Sequence, residues 1–318
     1  MHSAAPRFAV LVCVGPKNEE LDRVADLLDS VASFESGPAY FVMVDDGRGD
    51  RRLVQRFRFP MNLSPVSLVL DRSGTRGRYL LAKGICGAVL TGLDWIARHA
   101  EDARFVVKLD TDALVIAPFA RRIMEFFSGA ADVGMIGAFD RTPNGTSRDF
   151  SRNAGIMRRL HRPPVEFRSP GALVRWLSER LLGGPNAQIV KHISLAVRQG
   201  YCYGEHCLGG AYALSQEVLR RMLKGGMLDV ASRWMAIDCP EDVMMGMYVR
   251  AVGLRLANCV DENQVFGIRH EGLPFPPREL LSKGYSIIHS IKNDRSCSEQ
   301  EVRDFFAALR RPKLRAAS

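Results

Sequence analysis

The chain of 318 residues has no apolar run long enough to span a bilayer, which excludes a hydrophobic membrane-crossing helix. It has no Cys-x-x-Cys pair. Its 7 cysteines (Cys13, Cys86, Cys202, Cys207, Cys239, Cys259 and Cys297) are odd in number and mostly sit inside apolar runs. Reduced, buried thiols are the expectation, with a Cys202–Cys207 disulfide as the minor alternative. Met1 to Pro6 lacks the charged-then-apolar layout of a secretory leader, so a cytoplasmic location is expected. Under that expectation the sequons at Asn62-Leu63-Ser64 and Asn144-Gly145-Thr146 are chance matches. Also missing is a Gly-rich phosphate loop after the first strand, where Gly15-Pro16-Lys17-Asn18 is a poor version of one.

What is present is an ordinary globular balance, 47% hydrophobic and 25% charged, with a formal net charge of +9. The basic excess favours anionic partners: nucleotides, or the anionic face of a membrane. No basic motif interleaved with aromatics accompanies it, so nucleic acid is not expected as a partner. The length suits one large domain or two smaller ones.

The most informative stretch is Phe105-Val106-Val107-Lys108-Leu109-Asp110-Thr111-Asp112-Ala113-Leu114-Val115. An apolar, β-branched run stops at two carboxylates flanking a Thr, then resumes. The run reads as a buried strand of an α/β sheet. Carboxylates at its C-terminal end lie where open α/β sheets bind ligands. Asp is poor in strands and costly to bury unless paired or metal-bound, and two so close repel unless a cation lies beside them. Mg2+ and Mn2+ suit such hard oxygen ligands and commonly share them with phosphates. The plainer alternative is a turn in which Asp110 or Asp112 caps the next element.

The rest of the chain supplies a setting. Phe8 to Val14 is a buried strand, Glu19 to Ser33 a helix that Asn18 can cap, and Tyr40 to Asp45 a second strand followed by Asp46 and Gly47. Strand, helix, strand at this spacing is a βαβ unit with parallel strands, which places Asp45 and Asp46 on the same face as Asp110 and Asp112. Ser67 to Asp71 is a possible third strand. A basic loop, Arg72 to Arg78, precedes a helix from Tyr79 to about Ala100; Arg76, Arg78 and Lys83 either meet phosphates or lie on a solvated surface. A short helix over Phe119 to Phe127 and a strand over Val133 to Phe139 follow. From Asp140 to about Gln199 the chain turns rich in Arg, Pro and Gly, with helical pattern at Leu173 to Leu182 and Gln188 to Arg198. This reads as an insertion on the second-substrate side, whose cations and Trp176 could touch an anionic membrane. Gly209-Gly210 lets the backbone approach a ligand closely or makes a tight turn, and Ser215 is expected to cap a helix from Gln216 to Leu223. A helix is expected over Pro240 to Val252, stopped by Gly253. Its first turn holds Glu241 and Asp242, either as charges suited to the helix dipole or with one carboxylate projecting into a cleft as a general base. His289, in Tyr285 to Lys292, is either a core histidine or a ligand that closes with Lys292 over a metal-bound diphosphate; His270 is its competitor. Ser298 to Arg310 has the pattern of a terminal amphipathic helix.

In this order the blocks resemble metal-dependent glycosyltransferases of GT-A fold, and within them the β-1,3-glycosyltransferase and fringe-like group. Phe105 to Val115 is similar to that group's strand ending in Asp-x-Asp. Leu208 to Ser215 is similar to its Gly-Gly-x-Tyr-x-Leu-Ser block. Pro240-Glu241-Asp242-Val243, with Gly246 and Val252-Gly253, is similar to its Glu-Asp-Val-x-x-Gly helix. With the βαβ start, the resemblance runs from about Phe8 to Lys292.

The resemblance implies an α/β fold with a mostly parallel, Rossmann-like central sheet flanked by helices in a single two-lobed catalytic domain. Its parts would be 1–139 for the nucleotide-sugar, 140–200 as the helical insertion, and 201–318 for the acceptor and base. It implies inverting transfer from a nucleoside diphosphate sugar, most often a UDP-sugar, to a glycan or lipid-linked sugar, with Mn2+ or Mg2+. The metal ligands would be Asp112, Asp110 and His289. Asp242 would be the base, with Glu241 beside it. The donor side would comprise Val12, Val14, Asp45, Asp46, Arg78, Lys83, Lys108, Asp110, Thr111 and Lys292. The acceptor side would comprise Gly209, Gly210, Ala211 and Tyr212. The chain departs from the group in lacking a signal anchor and luminal disulfides, and in having Ala113 where many members have a third acid. A cytoplasmic enzyme, peripheral at the inner membrane face, fits these departures. The rival readings are a nucleotidyltransferase acting on sugar phosphates and a non-catalytic nucleotide- or glycan-binding protein.

Overall fold

A computed structural model describes residues 7–46, 52–71, 81–161 and 186–315. The Arg72–Arg78 loop, Trp176 and the helix expected at Leu173 to Leu182 lie outside them, as does the side chain of Lys83. The architecture is α/β: a 7-stranded sheet flanked by helices, with a second sheet of 3 strands.

Strand β1 (Phe8–Val14) pairs in parallel with β2 (Ala39–Asp45), and the helix Glu19–Phe34 joins them. β3 (Leu63–Val69) adds in parallel at the sheet edge. The sequence pattern starts this strand four residues too late, at Ser67; Pro65 falls within it, which an edge strand tolerates. On the other side of β1 lies β4 (Phe105–Leu109), again parallel, in the register Ala9 opposite Val106 and Val12 opposite Leu109. Successive residues of β1 face opposite ways. Ala9 and Leu11 join the core under the helices Leu81–His99 and Glu241–Ala251. Phe8, Val10, Val12 and Val14 join the core under the helix Glu19–Phe34.

Strand β5 (Leu114–Val115) follows β4 after a short turn; then come the helix Ala120–Gly129 and β6 (Val133–Gly137). The next strand, β7 (Ala211–Ser215), runs antiparallel between β4 and β6. The sequence does not announce it, since two glycines and five residues look like a turn before a helix. Ser215 does precede the helix Gln216–Lys224, but its hydroxyl makes no capping bond and is buried without a partner. The antiparallel sense matters for the site: it sets Leu109 opposite Ala211, so Gly209-Gly210 lies at the C-terminal end of β4. β8 (Arg255–Asn258) completes the large sheet. Pro240 caps the helix Glu241–Ala251, and Gly253 leaves it at φ +76°.

The small sheet joins β5 to β9 (Phe266–Ile268) and β10 (Ile287–His289). From the 140–200 segment, the helix Ala187–Arg198 packs on the helix Glu241–Ala251. Met157, Ile189 and Ile193 share one core with Val243 and Met247, so the described helices of this segment pack into the main body. The terminal helix, Glu299–Arg315, is tied to Glu19–Phe34 by Arg310, which pairs with Asp26 at 2.6 Å and Asp29 at 2.8 Å. All seven cysteines are free. Among the described residues, no helix is long and apolar enough to cross a membrane.

Candidate active site

The chain turns sharply where β4 ends. The Asp110 amide donates to the Gly210 carbonyl at 2.9 Å, and the Asp110 carbonyl accepts from the Ala113 amide at 3.0 Å. The turn foreseen as the plain alternative is therefore present, and it also delivers two carboxylates to one place. Ile288 of β10 stands opposite Leu114 of β5, and the Asp112 carbonyl accepts from the Ile291 amide at 3.1 Å. That pairing carries His289 to the acids.

Asp112 is fully buried. Its Oδ2 accepts from the Ser290 hydroxyl at 2.5 Å and faces Lys292 Nζ at 3.3 Å. Its Oδ1 makes no hydrogen bond; what faces it is His289 Nε2 at 3.3 Å. His289 Nε2 also lies 3.6 Å from Asp110 Oδ2. The Arg269 carbonyl, 3.0 Å from Nδ1, can only accept, so Nδ1 carries the proton and the Nε2 lone pair can point at the acids. Burial favours neutral Asp112, but His289, Lys292 and Ser290 outweigh it and hold the carboxyl far below its ordinary range. Burial likewise pulls the His289 pKa down, and Asp112 and Asp110 more than reverse it. Ligand atoms of Asp110, Asp112 and His289 all lie within 4.8 Å of one another, a group that could hold a metal ion. A buried carboxylate oxygen with no hydrogen bond, beside an oriented imidazole lone pair, fits a cation there. His270 is exposed and takes no part in the group.

Behind the acids, Lys108 is buried, and its three ammonium protons meet three acceptors: Asp110 Oδ1 at 2.6 Å, the Gly209 carbonyl at 2.5 Å and Glu241 Oε1 at 3.1 Å. Burial opposes its charge; Asp110 and Glu241 outweigh that and raise its pKa above the ordinary lysine value. Glu241 is buried too and accepts from the Tyr212 hydroxyl at 3.1 Å. Burial pushes its carboxyl up to about 7, with Lys108 pulling the other way.

Asp242 stands one residue further along that helix. Its Oδ2 accepts from the Gly209 amide at 3.0 Å and its Oδ1 from the Val243 amide at 2.9 Å, so both oxygens are held by main chain. His206 Nε2 lies 3.5 Å from Oδ2. Arg148 donates to the same nitrogen at 2.7 Å while His206 Nδ1 donates to the Gly204 carbonyl at 2.7 Å, which makes His206 a neutral neighbour. Burial lowers its pKa accordingly, with Asp242 opposing. Gly246 lets the loop bearing His206 approach the helix: an added Cβ would lie 2.3 Å from the Glu205 carbonyl. The glycine pair has a similar task. A Cβ on Gly209 would meet Glu241 Oε2 at 2.7 Å and Asp242 Oδ2 at 3.2 Å; one on Gly210 would meet the His289 ring at 2.1 Å. Asp242 and His289 thus rest against consecutive residues.

In front of the acids opens a cleft of about 520 Å³, lined by Val14, Lys17, Asp46, Thr111, Asp112 and Lys292 among others. Thr111 donates its hydroxyl to Glu20, which ties the turn to the first helix. Of the donor-side residues expected from the sequence, Val14, Asp46, Asp110, Thr111 and Lys292 reach this cleft. Asp45 is buried at the end of β2, next to Asp46. Val12 lies in the sheet interior, and Ala211 and Tyr212 are buried in β7; these three shape the site from behind. Lys108 likewise spends its donors inward. Arg78 and the side chain of Lys83 lie outside the described residues. Reasoning from sequence missed Ser290, Glu20, His206 and Arg148. Only Ser290 had a local signal, its place beside His289.

The chain matches no family model and no curated protein sequence.

Proposed function

We propose that the protein is a metal-dependent, inverting glycosyltransferase of GT-A type, akin to the β-1,3-glycosyltransferase and fringe-like group. It would move a sugar from a nucleoside diphosphate sugar, in the simplest case a UDP-sugar, to a hydroxyl of a glycan or lipid-linked sugar. One observation carries this reading: Asp110 and Asp112 line a cleft at the end of β4, His289 lies against both acids, and Asp242 and His289 rest against the consecutive glycines Gly209 and Gly210.

Asp110, Asp112 and His289 would hold Mn2+ or Mg2+, which when bound supplies Lewis-acid neutralisation of the leaving diphosphate. Lys292, which lines the cleft 3.3 Å from Asp112, would meet a phosphate oxygen. Val14 and Asp46 would border the nucleoside. Asp242 would take the proton of the acceptor hydroxyl as it attacks the anomeric carbon from the side opposite the diphosphate. Its two main-chain hydrogen bonds fix its aim, so positioning does much of the work. A lipid-linked acceptor would bring the enzyme to an anionic membrane face, where exposed Arg152, Arg158 and Arg159 add attraction.

The test is hydrolysis of a panel of nucleoside diphosphate sugars, with water as acceptor, in the presence and absence of Mn2+. Slow, Mn2+-dependent release of one diphosphate is expected, reduced roughly 100-fold or more in Asp242→Asn. No turnover of any donor, or equal turnover in Asp242→Asn, would overturn the assignment.

A further inference from the structure

Lys108 and Glu241 form a buried ion pair behind the half-buried Asp110, and the proposed chemistry leaves that pair without a role. Lys108 Nζ stands between Asp110 Oδ1 at 2.6 Å and Glu241 Oε1 at 3.1 Å. The opposite oxygen of Asp110, Oδ2, is the one turned to His289 Nε2. A lysine tied so closely to a ligand carboxylate withdraws negative charge from the place where a dication would sit. The charges of Asp110 and Asp112 are matched by those of Lys108 and of Lys292, which lies 3.3 Å from Asp112, so without Glu241 the group would have no net negative charge. Glu241 returns one negative charge from behind, out of reach of the cleft.

We propose that Glu241 is a positioning residue for the metal centre. It neutralises Lys108, so that Asp110 presents a full carboxylate charge to the ion. The inference rests on the metal-binding reading of Asp110, Asp112 and His289. Three observations favour it over a purely structural role. Glu241 is fully buried and its near oxygen is held by Lys108 and by the Tyr212 hydroxyl, so it cannot reach an acceptor sugar. A Cβ on Gly209 would meet Glu241 Oε2 at 2.7 Å, so the main chain closes over the carboxylate. All three protons of Lys108 are taken, by Asp110, Glu241 and the Gly209 carbonyl, so the lysine has none left for a donor phosphate. A charge placed where it touches no ligand can act only through its neighbours, and here the chain of contacts leads to Asp110.

The experiment is Mn2+ binding to the whole protein at pH 8, read from the electron paramagnetic resonance signal of free Mn2+. It is run on wild type, Glu241→Gln, Lys108→Met and the double variant. Gln keeps an oxygen for Tyr212 and Lys108 but removes the charge. Glu241→Gln is expected to weaken Mn2+ binding about tenfold, the range typical of groups acting through a metal ligand. The double variant removes both charges together and is expected to return to within about threefold of wild type, a rescue that a merely structural role would not produce. Glu241→Gln binding Mn2+ as wild type does, or a double variant as weak as the single one, would overturn the inference while leaving the metal centre standing. Wild type that binds no Mn2+ would overturn both. Thermal midpoints of all four proteins, taken without metal, separate loss of folding from loss of affinity.

Discussion

Alanine at Gly210 should disable the metal centre from behind without altering any ligand. The added Cβ would fall 2.1 Å from His289 Nδ1, 2.3 Å from Cε1 and 2.4 Å from Cγ. Ordinary contact starts near 3.4 Å, so the imidazole must retreat by about 1.3 Å. It has little freedom to do so, because its Nδ1 is held by the Arg269 carbonyl and β10 is paired on both sides. The other way out is to move β7, which would pull the Gly210 carbonyl from the Asp110 amide. Overpacking of this kind costs about 1–3 kcal/mol. Misplacing one of three ligands by an ångström should weaken the metal at least as much as losing a supporting group does, about 10–100-fold. The assay is Mn2+ titration by calorimetry on Gly210→Ala and on its neighbour, Gly209→Ala. The Gly209 Cβ would strike Glu241 and Asp242 instead, so that variant should disturb the base more than the metal. Gly210→Ala with wild-type Mn2+ affinity would refute the reasoning, because His289 would then have no part in the centre.

Further expectations follow from other parts of the structure. His192 is buried against the Tyr248 ring at 5.5 Å with an unpartnered Nδ1, and burial, aided by Lys191 and Arg233, pulls its pKa down to about 4. The unfolded chain binds this proton first, so stability should fall as pH drops from about 6.5 towards 4, by up to about 3 kcal/mol. Urea unfolding of His192→Leu should lose that part of the slope, and an unchanged slope would contradict the account. Arg310 is buried against Asp26, which is partly exposed, and Asp29, which is exposed. Arg310→Ala should therefore cost about 1–3 kcal/mol and expose the terminal helix to protease, seen as earlier cleavage there. Lys292→Ala should leave Mn2+ affinity equal or slightly higher, since it removes a cation 3.3 Å from Asp112, while weakening UDP about tenfold by calorimetry.

The sequence exposes some layers of this molecule and hides others, for physical reasons. The βαβ start is legible because β1, its helix and β2 keep clean apolar runs and helical spacing. Asp110 and Asp112 are legible because carboxylates ending an apolar strand require a cause. The pairing that completes the group is not: β5 and β10 are two and three residues long and far apart in the chain, too short to leave any periodicity. From sequence His289 is only one of two candidates, beside His270, and either a core histidine or a ligand. β7 is hidden by the two glycines before it, whose purpose, making room for His289, Glu241 and Asp242, exists only once the chain is folded. The resemblance puts Lys108 on the donor side. Its partners Gly209 and Glu241 come from remote segments, and no spacing rule connects them. Arg148 and His206 meet Asp242 through loops with no repeating pattern at all.

The measurement that bears most directly on the central claim is a thermal-shift panel of nucleoside diphosphates, each with and without Mn2+, on wild type and Asp112→Asn. A ligand that binds only the folded state raises the midpoint, by about 2.7 kcal/mol of stability at a hundredfold excess over its dissociation constant. The account expects one diphosphate to stabilise wild type only when Mn2+ is present, and neither to act on Asp112→Asn. Stabilisation that ignores Mn2+ or survives Asp112→Asn would contradict it, as would the absence of stabilisation by every diphosphate tested.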